Sequence, residues 1–250
     1  MYRLANALFA QERSTGDPDT EKNAKEGITL CEKILSGCTD PRIRAYTVQL
    51  LTYWYSMPWL FIADEEKAVS YAKMGGTLWT SSEILLENAY FTEEGKKEAR
   101  KIRDGNTLSI MDHICRNIAW RIESDAENEL RNCRTALILW QTLIPDGNFL
   151  FYHCRIADLY LRMAKCHARM SRKKETLEAL HLAAYHAKKK DAIPEGEQQY
   201  TSPFVSFAVS DAAESSKNYS ETEYELFISS LNDPCFGFIR HEPEFIALSK

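Results

Sequence analysis

The sequence predicts an all-α protein of about 12 helices packed as antiparallel hairpins. Three observations lead there. Alanine occurs 25 times and leucine 24 times against four valines, a bias toward helix over strand. The prolines punctuate the chain, at Pro18, Pro41, Pro58, Pro145, Pro194, Pro203, Pro234 and Pro243. Each lacks a donor and restricts the residue before it, so each starts or stops a helix. Most glycines fall at similar breaks, among them Gly16, Gly37, Gly75, Gly76, Gly105, Gly147 and Gly196, and no strand-like alternation bounded by turn signals lies between them.

The elements follow in order. Helices over 2–12 and 19–35 open the chain, and Asp40 caps the next, over 41–56, ahead of Pro41 at its first turn. Helices over 64–74, 80–91 and 94–103 come next, the last stopped at Gly105. The helix over 107–123 carries Ile110, Ile114, Ile118 and Ile122 as an apolar stripe, and another runs over 126–143. The pair 149–170 and 172–190 turns tightly at Ser171, which precedes Arg-Lys-Lys-Glu as a cap. Leu177, Leu180, Ala183, Ala184 and Ala187 repeat at three and four on its second helix. Helices over 201–215 and 221–231 follow, the latter started by a capping box of Ser220 with Glu223, and a short helical turn lies near 242–248. Short connections make neighbours antiparallel.

Composition narrows the function. Hydrophobic residues make up 44% and charged residues 27%, ordinary for a chain with a core. A net charge of −5 and a pI near 5.8 disfavour a globally basic nucleic-acid binder, so no direct nucleic-acid contact is expected. The longest apolar run, Met57–Ala63, is broken by Pro58 and falls far short of the ~20 residues of a membrane span. The N-terminus has neither the apolar core nor the cleavage site of a signal peptide. Seven cysteines without a CxxC spacing read as small core hydrophobes in a reducing compartment. The expected location is cytoplasmic.

Consecutive hairpins of this length are the signature of a helical-repeat array. In Tyr160–Lys188, Met163, Ala164 and His167 on the first helix face Leu177, Ala179, Leu180 and Ala183 on the second, with Ala164 and Ala183 allowing close approach. This unit resembles a tetratricopeptide repeat, with Ser171 where the motif has glycine and Thr176 where it has alanine. Leu4–Leu35, Tyr46–Met74 and Asn106–Pro145 are weaker copies. The resemblance implies one right-handed superhelical domain over 1–250.

The ending Leu231-Asn-Asp-Pro-Cys-Phe-Gly-Phe-Ile-Arg-His-Glu-Pro-Glu-Phe-Ile-Ala-Leu is similar to the close of bacterial tetratricopeptide proteins. It reads as a terminal cap over about 231–250, with Leu231, Phe236, Phe238, Ile239, Phe245 and Leu248 sealing the last hairpin. Together with Leu30-Cys-Glu-Lys-Ile-Leu, Trp79 through Ser82-Glu-Ile-Leu-Leu, Asn106 opening a long helix, and Tyr200-Thr-Ser-Pro-Phe, it resembles the sensor half of Xre-type helix-turn-helix transcriptional regulators. The resemblance implies effector sensing and dimerisation, with a peptide or protein partner, or a small effector, and homodimerisation. Tyr2-Arg-Leu-Ala already reads as an array helix, so DNA binding is not assigned to these residues. A stand-alone interaction scaffold without a transcriptional role is the alternative.

No chemistry announces itself. Glycine-rich phosphate loops, HExxH, GxSxG and paired carboxylate motifs are missing from the sequence, so no catalytic residue and no cofactor is expected. His113-x-Cys115, His153-Cys154 and Cys166-His167 are neighbours that point about 100° apart per residue on a helix, a poor metal geometry, so no metal is expected.

Charge and aromatic patterning say more. From Arg162 to Lys190 there are nine Lys/Arg against two Glu, and from Asp191 to Asp233 nine acids against one Lys. The plain account is that these two stretches neutralise each other across packed helices; the functional one is a polarised rim for a charged peptide. Arg162, Lys165 and Arg169 share one helix face and await an anion, whether a ligand or that acidic stretch. Tyr53-Trp-Tyr-Ser-Met-Pro-Trp-Leu-Phe packs either between repeats or at a groove or self-association surface. A groove lined by first helices would then carry Asp158, Leu161, Arg162, Lys165 and Arg169, with Gln49 and Tyr53 on the third helix and His113, Arg116, Asn117 and Trp120 on the seventh.

Overall fold

The computed structural model describes residues 1–11, 20–56, 62–76, 84, 86, 87, 90, 92–121, 125–211 and 220–248. It is mostly helical, with one two-stranded sheet among the described residues. The chain divides into two compact units, 1–86 and 87–250.

In the first unit, α1 (Tyr2–Gln11), α2 (Thr20–Gly37), α3 (Pro41–Tyr55) and α4 (Glu65–Ala72) follow one another. Asp40 caps α3 as expected: its Oδ1 accepts from the backbone N–H groups of Arg42 at 2.8 Å and Ile43 at 3.2 Å, while Pro41 holds the first turn. The core gathers Ala5, Ala24, Ile28, Cys31, Leu50, Leu51 and Trp54. Trp54 is fully buried, and a Cβ on Gly27 of α2 would lie 2.9 Å from its ring, so glycine lets the helix close on the indole. Trp54 and Tyr55 are therefore core. Met57–Phe61 of the aromatic stretch, most of the helix expected over 80–91 and the segment from Trp79 lie outside the described residues.

The second unit opens with α5 (Gly95–Ala119), a single 25-residue helix. This corrects the break expected at Gly105. A Cβ there would meet nothing within 4 Å, and glycine costs a helix only about 1 kcal/mol, which packing of the helix face outweighs. The buried face is Leu108, Cys115 and Ala119, joined by half-buried Met111; of the expected isoleucine stripe, Ile110 and Ile118 are half-buried, Ile114 is 43% exposed and Ile122 lies outside the described residues. Helix α6 (Ala126–Leu143) takes its cap from Asp125.

A 3₁₀ turn over Leu150–Tyr152 leads into α7 (His153–Arg169), which forms an antiparallel hairpin with α8 (Lys173–Asp191). Ala164 and Ala183 are fully buried between them, and Leu177, Leu180, Ala184 and Ala187 complete the stripe. Ser171 does not cap α8. It takes the left-handed conformation, φ +56°, closing α7 where a glycine would be easier.

The helix expected over 201–215 is overturned where the chain is described. Strands β1 (Glu197–Gln199) and β2 (Val209–Asp211) pair antiparallel around a loop that buries Tyr200, Ser202, Val205 and Ala208. The Ser202 hydroxyl donates to the Leu143 carbonyl at 2.6 Å, a tertiary bond that the local pattern does not contain. Helix α9 (Glu223–Ser230) is started by a capping box of Thr222 with Glu225, not Ser220 with Glu223. Asp191, ending α8, reinforces it by accepting from the backbone N–H groups of Glu223 and Tyr224, both at 2.9 Å. A 3₁₀ turn (Pro234–Ile239) and α10 (Pro243–Leu248) follow, with Leu231, Phe236, Ile239, Phe245 and Leu248 buried; Phe238 is 41% exposed and seals nothing.

Candidate functional site

Four of the groove candidates converge in the second unit, where α5 meets α7. Arg116 and Trp120 stand one turn apart near the end of α5, and Asp158 and Arg162 one turn apart on α7. The Trp120 indole N–H donates to Asp158 Oδ2 at 3.2 Å, and Arg162 Nε donates to the same oxygen at 3.2 Å. Both guanidiniums lie against the indole, Arg162 at 5.1 Å and Arg116 at 5.5 Å from the ring centroid. The ring is 41% exposed, so a cation–π pair of this kind also presents an apolar platform to solvent.

Two side chains not singled out in the sequence complete the cluster. Asp112 Oδ1 accepts from Arg155 Nε at 3.0 Å, while Asp112 Oδ2 lies 3.4 Å from Arg116 Nε. That Arg116 atom is buried, attracted to the carboxylate but without a hydrogen-bond partner among the described residues. The signal for Asp112 was its place four residues before Arg116 on one helix face. Asp112, Arg116, Trp120, Arg155 and Asp158 line a shallow recess of about 10 Å³, room for about one water, together with Cys115, Ala119, Trp140 and Leu159, and Arg162 joins it through its bond to Asp158. Three arginines meet two aspartates here, and the half-buried Glu223 carboxylate acts on Arg155 and Asp158 as well. Burial, assisted by Asp112, pushes the Cys115 thiol up to about 12; it is protonated at neutral pH and no nucleophile.

The other candidates lie elsewhere. Lys165 forms an ion pair with Asp233 at 2.8 Å, and that lysine with the Cys235 backbone N–H pulls the Asp233 carboxyl down to about 2. Arg169 pairs with Glu129 of α6. Each cation of the Arg162, Lys165, Arg169 face thus has its own carboxylate, and only Lys165 draws on the acidic stretch. Leu161 is half-buried against the core of α7, α8 and the cap. His113 and Asn117 are exposed on α5. Gln49 and Tyr53 belong to the first unit, where the Gln49 amide donates to the Tyr53 hydroxyl at 3.0 Å and Tyr53 stacks on Phe9.

A second polar cluster went unread in the sequence. His153 Nδ1 and His186 Nδ1 are 2.8 Å apart, one donating to the other, joining the start of α7 to the end of α8. Phe149, Tyr160 and Tyr185 surround them. Burial pushes both imidazoles down to about 4, with His186 and Lys189 adding to the effect on His153. Both rings are neutral at pH 7. Among the described residues no three His, Cys, Asp or Glu side chains converge as metal ligands would, and no helix is long and apolar enough to cross a membrane. In comparisons with known proteins, no family model, no curated protein and no solved structure matches the chain.

Proposed function

We propose that the chain is a binding module of stacked helix hairpins, tetratricopeptide-like in arrangement, whose Arg116–Trp120–Asp158–Arg162 recess takes the anionic group of a short peptide or small effector. One observation carries the reading. Two guanidiniums lie against an exposed indole, and the buried Arg116 Nε has no hydrogen-bond partner among the described residues. A carboxylate entering beside Trp120 would find arginine donors and lay an adjoining apolar side chain on the ring. At about 10 Å³ the recess has room for about one water and encloses no small molecule, so a ligand would lay only a terminal group against its mouth beside Trp120, as the end of a peptide does. The setting we favour is the sensing half of a transcriptional regulator, on the strength of the chain's ending and the order of its packing motifs; with no hit at this recess, the scaffold alternative takes over.

Isothermal titration with N-acetylated tripeptides ending in glutamate, and with their C-terminally amidated glutamine counterparts, tests the proposal. The acidic peptides bind, the neutral ones do not, and Arg162→Ala weakens binding by about tenfold or more, the scale of a lost charge-assisted hydrogen bond. Its Asp158 bridge is partly exposed, so stability changes by less than about 1 kcal/mol. Equal binding of both peptide sets, or a large stability loss with binding intact, would retire the reading.

A further inference from the structure

We propose that the loop between the two strands, together with the first turns of α5, is a docking surface for an acidic, apolar segment of a partner protein. The loop buries Tyr200, Ser202, Val205 and Ala208, yet presents Phe204 at 60% and Phe207 at 44% exposure. It is held from several sides. Asp104 of α5, itself buried, accepts from the Phe207 backbone N–H at 2.8 Å, and the Gln199 amide donates to the Ser206 carbonyl at 2.6 Å. The Tyr200 and Ala208 backbone N–H groups close the turn onto Ala208 and Val205. Two phenyl rings on a loop so tied are displayed in a fixed arrangement, which lowers the ordering cost of binding.

One face of α5 beside them is mainly basic. Lys97, Arg100, Lys101 and Asp104 share one face of α5, spaced at three and four. Asp104 is occupied by the loop, and the Arg100 guanidinium lies 5.4 Å from the Phe207 ring centroid. On the same helix Lys96 pairs with Glu93 and Arg103 with Glu87, whereas Lys97, Arg100 and Lys101 have no ion-pair carboxylate among the described residues. Arg100 thus borders the exposed Phe207 ring, and Lys97 and Lys101 share its helix face. Aromatic side chains and arginine are the residue types that dominate interface energies, and this charge complements acidic side chains next to apolar ones. An anionic bilayer is the poorer partner. A short acidic segment feels only the local patch within a Debye length of about 8–10 Å. A membrane surface also meets the rest of a chain with net charge −5.

The test uses fluorescence anisotropy of a labelled twelve-residue peptide of glutamate, leucine and phenylalanine, and of its lysine-for-glutamate counterpart. The glutamate peptide binds saturably and more weakly as salt rises, and the lysine peptide does not bind. Phe204→Ser with Phe207→Ser, and separately Lys97→Glu with Arg100→Glu, each weaken binding about tenfold or more. All four side chains are exposed, so the melting temperature stays put and confirms folded variants. Binding unaffected by either double substitution overturns the proposal, as does equal binding of the lysine peptide. Loss of binding on Arg162→Ala alone moves the peptide to the recess at Trp120 and also overturns it. Sedimentation with vesicles of phosphatidylcholine and phosphatidylserine, dependent on Phe204 and Phe207 while the peptide fails to bind, would replace the protein partner with a membrane.

Discussion

Trp140→Ala is expected to destabilise the second unit by about 3–5 kcal/mol, the range for removing a large buried aromatic. The indole is fully buried on α6, its ring centroid 4.6 Å from that of Tyr152, in a core shared with Leu108, Cys115, Ile144 and Ile156. Its neighbours come from α5, α6 and α7 together, and Met111 and Met163 at the edge of this core refill only part of the space. Trp140 also forms the back of the recess, so the variant loses the acidic peptide along with its stability. Chemical denaturation measures the cost. A loss below about 1 kcal/mol would mean that α5, α6 and α7 do not share this core.

Acid is the second large lever. The His153 and His186 rings stay neutral until about pH 4, whereas histidines of an unfolded chain take up protons near 6.5. Between those values the unfolded chain holds more protons than the folded one, so stability is complete above about pH 6.5 and falls as the pH drops toward 4. For the buried His153 ring a displacement of this size is worth about 3 kcal/mol, and His186 adds in the same direction. Replacing both by glutamine keeps hydrogen-bonding side chains without the titration and is expected to flatten this part of the stability profile. A wild-type profile already flat from pH 7 to 4 would contradict the pairing.

Much of the fold was legible because it is local. The α7–α8 hairpin follows from an alanine and leucine stripe at three and four, and α6 runs over the 126–143 expected of it. What was missed is held by distant partners. The loop after β1 is tied to Leu143 and Asp104, which lie 59 and 103 residues from the groups they bind. Against such bonds, helix propensity over 201–215 decides nothing. The site was half legible in the same sense. Helical spacing singled out Arg116, Trp120, Asp158 and Arg162 one by one, but only the packing of both α5 and α7 against α6 brings them to one indole and one carboxylate. His153 drew notice only beside Cys154, while its partner sits 33 residues away on the other helix of the hairpin.

The most direct test of the recess is the Trp120 indole N–H resonance in a ¹H–¹⁵N spectrum, assigned by Trp120→Phe, during titration with acetyl-Leu-Leu-Glu. An anion entering beside Arg116 and Arg162 must disturb the bond from that indole to Asp158, so the resonance is expected to shift saturably with the peptide. The same titration of Arg162→Ala should show about a tenth of the affinity or less. A Trp120 signal that stays fixed while other resonances report binding would contradict the account, because the peptide would then bind without touching the recess.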